Sequence, residues 1–116
     1  MADKFEEILS KGPLLADGAM GTMLHARGAQ FDQCFDELNL TQPALVADVH
    51  RAYIDAGAQI IETNSFGANR YKLAGHGLET KVRHINAAAV TLARNVAAET
   101  GIPIQFPSNG QNWDKV

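Results

Sequence analysis

The chain is 116 residues long, with 10 Lys+Arg against 13 Asp+Glu, a formal net charge of −3, 46% hydrophobic and 20% charged residues. That balance belongs to an ordinary globular domain and disfavours both intrinsic disorder and nucleic-acid binding by bulk charge. The lone cysteine, Cys34, excludes an intramolecular disulfide, and neither a cysteine-based zinc cage nor a CxxC redox pair can be built from this chain alone.

The charged start, Met1 to Glu7, has no apolar run long enough for a secretion signal or a membrane span, so the expected compartment is the cytoplasm. From Asp3 to Ser10, Phe5, Ile8 and Leu9 share a helical face, and Gly12-Pro13 stops the helix. Leu14-Leu15-Ala16 reads as a buried strand opening into a turn at Asp17-Gly18. Met20 to Leu40 is irregular, a structured loop in which Met20, Met23 and Leu24 can form one helical turn or two and Phe31, Cys34, Phe35 and Leu38 supply apolar anchors.

Thr41-Gln42-Pro43 signals a helix start. Leu45, Val46, Val49, Ala52, Tyr53 and Ala56 then form an apolar stripe that Gly57 closes. Ala58 to Asn64 predicts a second strand, ending in the polar turn Ser65-Phe66-Gly67. After a loop with Gly75 and Gly77, a long helix is predicted over Leu78 to Glu99, capped by Gly101. Ile102, Ile104 and Phe106 alternate as a third strand, with Pro103 and Pro107 favouring an edge position. This order predicts an α/β fold of parallel βαβ units.

In such folds ligands gather beyond the C-terminal strand ends. Two polar clusters fall there, Asp17-Gly18-Ala19-Met20-Gly21-Thr22 and Glu62-Thr63-Asn64-Ser65-Phe66-Gly67. A carboxylate at one strand mouth can hold an ammonium, and glycine-turn N–H groups can receive a carboxylate, which together suit a small amino acid. Each cluster singly reads better as turn and cap chemistry, and the pair is evenly balanced between the two readings. Gly18 and Gly21 are spaced GxxG, and no Walker lysine follows, so nucleotide binding is disfavoured. His25, His50, His76 and His84 lack ligand spacing, and Cys34 reads as a small buried hydrophobe, so no metal site is assigned.

Four stretches carry a family resemblance. They are Leu15-Ala16-Asp17-Gly18-Ala19-Met20-Gly21-Thr22, Asn39-Leu40-Thr41-Gln42-Pro43, His50-Arg51-Ala52-Tyr53-Ile54-Asp55-Ala56-Gly57-Ala58 and Ile61-Glu62-Thr63-Asn64-Ser65-Phe66-Gly67-Ala68-Asn69. Over about 13–101 the chain resembles the start of the homocysteine S-methyltransferase domain. The resemblance implies the N-terminal part of a (β/α)8 TIM barrel, incomplete in this chain, since such a barrel usually takes about 250 residues. It also implies a zinc ion that turns homocysteine sulfur into a thiolate nucleophile, with methyltetrahydrofolate or another compound as methyl donor. On the matching positions, Asp17 and the Gly18-Ala19 backbone hold the amino-acid end of homocysteine, and Thr63 and Asn64 line the adjacent wall.

The family's zinc thiolates fall beyond residue 116, and Cys34 matches none of them. The tail over 102–116 diverges from the family pattern. The expectation is therefore a homocysteine-binding portion of a methyltransferase that is inactive alone, with no nucleic-acid or membrane partner. The alternative is a non-catalytic βαβ module that binds an amino acid or self-associates through an open sheet edge.

Overall fold

The computed structural model describes residues 2–105. Helices α1 (Ala2–Leu9), α2 (Gly21–Ala26), α3 (Leu38–Thr41) and α4 (Pro43–Asp55) precede strand β1 (Ile61–Glu62). Helices α5 (Arg70–Ala74) and α6 (Val82–Thr100) follow, then strand β2 (Ile104–Gln105). Single 3-10 turns at Phe35–Glu37 and Glu79–Lys81 lead into α3 and α6.

The expected α/β fold of parallel βαβ units is corrected: the structure is 58% helical, and its strand content is minimal. The two strands are two residues each and pair in parallel, Ile61 opposite Ile104 and Glu62 opposite Gln105. The predicted first strand shrinks to one bridge, Ala16 to Ile60.

The reasons are local. Leu15, expected to be buried in a strand, is 57% exposed, so little packing supports a longer pairing there. Beyond Glu62, Thr63 and Asn64 spend their side chains on hydroxyl and backbone partners, which competes with a ladder. The helical turns open to Met23 and Leu24 form as α2, and the stretches expected as loops also fold into α3 and α5. Phe106, placed in the third strand by its alternation, lies outside the described residues, as does the rest of the tail from there on.

Both long helices form where the apolar spacing places them. Pro43 opens α4, where its missing N–H and fixed φ cost nothing. Gly101 closes α6 with φ 73°, a left-handed conformation that a side chain would disfavour. Buried Ala89, Ala93 and Ala97 recur every four residues along one face of α6, which leaves room for close packing.

Three apolar clusters make the core, and α6 enters all of them. Leu92 packs against the cluster that contains Leu24, Leu38, Val46 and Val49; Ile85 belongs to the one with Cys34, Ala68 and Leu73; Ala93 and Ala97 belong to the one with Ala58 and Ile61. No helix among the described residues is long and apolar enough to cross a membrane.

Candidate functional site

The bridge at Ala16 and the pairing of β1 bring the ends of two segments side by side. The Asp17 N–H donates to the Ile60 carbonyl at 3.1 Å, and the Gln59 N–H donates to the Leu15 carbonyl at 2.7 Å. Asp17 and Glu62 thus arrive at one edge, where the Glu62 N–H donates to Asp17 Oδ2 at 3.1 Å. Beside them opens a cleft of about 460 Å³, lined by both polar loops together with Phe35, Asp36 and Lys72.

Burial is the main force on the Asp17 carboxyl. It lifts the pKa from 3.8 to about 6 against the lowering effect of the Glu62 N–H, and the Glu62 carboxylate adds to the rise. A bound ammonium would reverse that balance by supplying the missing positive charge.

Of the residues expected at the site, Asp17, Gly18, Thr63 and Asn64 line this cleft. Ala19 does not, and its carbonyl accepts the Tyr53 hydroxyl at 2.7 Å. That bond brings the Tyr53 ring against Gly18, where an added Cβ would meet the hydroxyl oxygen at 3.1 Å.

Asn64 is tied into the scaffold. Its amide donates to the Phe35 carbonyl at 2.9 Å and to Asn39 Oδ1 at 3.0 Å, and Asn39 Nδ2 donates back to the Asn64 carbonyl at 2.8 Å. Both side-chain protons are therefore committed, and Asn64 shapes the wall rather than offering donors to a ligand. Thr63 and Ser65 share a 2.6 Å hydroxyl–hydroxyl bond, and both are buried.

Two lining residues carry signals too weak to single out in the sequence. Asp36 sits in the irregular stretch before α3, where it accepts the Gly67 N–H at 3.1 Å. Burial raises its pKa, opposed by that N–H and by the positive charges of His76 and Lys72. Glycine suits this approach at position 67, since a Cβ there would stand 2.9 Å from Asp36 Oδ1 and the carboxylate would have to shift. Lys72 lies on α5, where the sequence predicts a loop; the Asn69 side chain caps that helix by accepting the Lys72 N–H at 3.0 Å.

The residues present do not fit a zinc ion. No group of three or more His, Cys, Asp or Glu among the described residues is placed to hold a metal. Cys34 is buried beside Ala68, Leu73 and Ile85, and burial raises its thiol pKa, opposite to what a thiolate ligand needs. His50 is fully buried on α4, and neither ring nitrogen has a partner among the described residues.

Comparison with known proteins fits this arrangement. Methionine synthase of Mycobacterium tuberculosis is 36% identical over 103 residues, covering 84% of this chain but 9% of its own length. Methionine synthase of Mycobacterium leprae is 35% identical over the same number of residues, 8% of its length. Among solved structures, the metallated form of the Escherichia coli homocysteine methyltransferase MmuM aligns with a TM-score of 0.75 at 29% identity. That alignment covers 89% of this chain and 40% of MmuM. The chain therefore spans less than half the length of each of these relatives. The homocysteine S-methyltransferase family pattern matches residues 14–107, and with the two polar loops of that pattern meeting in one cleft, the chain belongs to this family.

Proposed function

We propose that the cleft binds the amino-acid end of homocysteine, as the leading portion of a domain that methylates homocysteine to methionine. The observation that carries this reading is the single cleft joining Asp17 and Gly18 to the Thr63–Gly67 loop. Asp17 accepts the substrate ammonium, and Gly18 beside it leaves room for the Tyr53 ring, which an added Cβ would press at 3.1 Å. Thr63 and Asn64 hold the adjacent wall rigid through their buried hydrogen bonds.

Zinc supplies a thiolate at neutral pH wherever cysteine ligands hold it. The described residues offer no such ligand set. The 116-residue chain therefore binds substrate without transferring a methyl group to it. A lone, buried, reduced thiol also suits a cytoplasmic protein.

Calorimetric titration of homocysteine into the purified chain tests the binding reading. The expected dissociation constant is about 1 mM or tighter, within the usual range of enzyme substrates, and Asp17→Ala should abolish the signal. Absence of binding by the parent chain would refute the reading. Methyl transfer above a no-protein control, with zinc and methyltetrahydrofolate supplied, would overturn the predicted inactivity.

The second reading, a self-associating module, draws on Leu15, which is 57% exposed on the segment that makes only the single bridge. A monomer by gel filtration at high concentration would remove it.

A further inference from the structure

Beyond Glu62 the wall of the cleft has no strand partner among the described residues, so its shape depends on side chains that reach it from behind. Two of these are asparagines outside the lining, Asn39 and Asn86. Asn39 holds Asn64, while Asn86 reaches across from α6, where Nδ2 donates to the Ala68 carbonyl at 2.8 Å and to the Val82 carbonyl at 2.9 Å. Both neighbours of that nitrogen are carbonyl oxygens, so only the NH2 end of the amide can face them. The Ala68 N–H donates to the Ser65 carbonyl at 3.1 Å, and the Gly67 N–H before it goes to Asp36. Asn86 thus ties this turn to the long helix.

Stability alone does not account for an asparagine here. Asn86 is 2% exposed, and its Oδ1 is buried without a hydrogen-bond partner among the described residues. A buried acceptor left unmet weakens a fold. The Val82 bond adds little, because that carbonyl lies four residues back and already serves the helical ladder. What Asn86 supplies beyond the helix is the donor to Ala68, next to a loop that lines the cleft over 63–67.

We infer that Asn86 is a positioning residue: from α6 it fixes the 65–68 turn and so sets the wall against which substrate packs, without touching substrate itself. This rests on the homocysteine reading of the same cleft. A binding wall must be held to a fraction of an ångström, and a bond from the longest helix does so from outside the site.

The test uses two variants of the 116-residue chain. Asn86→Ala removes both bonds, whereas Asn86→Ser keeps a hydroxyl that can bond back to the Val82 carbonyl but is too short to reach Ala68. Each is compared with the parent by calorimetric titration of homocysteine, by thermal unfolding, and by exchange of the Gly67 and Ala68 amides followed by nuclear magnetic resonance. At a temperature where both stay folded, both should bind homocysteine about ten-fold more weakly, the weight of one well-made hydrogen bond. The two loop amides should exchange faster, while those of α4 keep the parent's rates.

Folded variants with the parent's affinity overturn the inference, as does recovery by Asn86→Ser, which would assign the effect to the helix. Failure of both variants to fold overturns it too, since Asn86 would then serve the fold rather than the site. A parent chain that binds no homocysteine refutes the substrate reading instead; faster loop amides then keep the positioning role, and unchanged ones overturn it.

Discussion

Two titratable groups, half-buried Asp17 and fully buried His50, should tilt the stability of this chain in opposite directions over one pH window. The Asp17 carboxyl is raised from 3.8 to about 6, so between those values the folded chain holds a proton that the unfolded chain has released. Its contribution is complete below about pH 4 and is lost as the pH rises through about 6. Two full pH units correspond to about 3 kcal/mol, and the half-exposed setting of Asp17 reduces this to about 1 kcal/mol. His50 is lowered from 6.5 to about 4 by burial, so the unfolded chain takes up a proton that the folded chain refuses. Its effect runs the other way: stability falls as the pH drops from about 6.5 toward 4, by about 2 kcal/mol for a fully buried ring.

Substitution separates the two slopes. Asp17→Asn keeps an oxygen for the Glu62 N–H and removes the titration, so at pH 7 the variant should be about 1 kcal/mol more stable. That gain should vanish toward pH 4. His50→Leu removes two unpartnered ring nitrogens, so it should be near neutral at pH 7 and about 2 kcal/mol stabilising near pH 4.5. Urea unfolding followed by far-ultraviolet circular dichroism at several pH values reads both curves. A difference of 1 kcal/mol also moves the melting temperature by about 4–8 °C in a domain of this size. Variant-minus-parent differences that do not change with pH, for either substitution, would refute the reasoning.

Asn39→Ala should cost about 2–3 kcal/mol, because it strips the buried Asn64 amide of a partner and frees two carbonyls that Asn39 had satisfied; denaturant midpoints report it. Gly67→Ala should separate the loop from Asp36 and weaken homocysteine binding more than stability, a split that paired titration and melting experiments detect. Cys34 should resist alkylation by iodoacetamide in the native chain and react fully in urea, as mass spectrometry of the modified chain will show.

Much of the helical framework was legible in the residues. The proline start and apolar stripe of α4, and the glycine after α6, are local signals that tertiary packing had no reason to override. The two polar clusters were legible as a pair because their spacing places both after a short apolar run. The strands were misjudged in extent, since β-pairing depends on what covers each face, and exposed Leu15 shows that one face lacks cover. Asp36 and Lys72 stayed hidden for a related reason. Each sits in a stretch without periodicity, and only the folding of α3 and α5 carries them to the cleft. Asn64 read as a ligand-facing residue, but its partner Asn39 lies 25 positions away, a distance at which sequence pattern gives no warning of a reciprocal bond.

Helix α6 is shared by three separate apolar clusters, and this has a consequence for how the chain opens. A cluster with its own private helix can melt by itself, but here the loss of any one strips a face from the helix that supports the other two. Amides near Ile85, Leu92 and Ala97 should therefore exchange with solvent at one common slow rate, because the unit that α6 organises stays closed or opens as a whole.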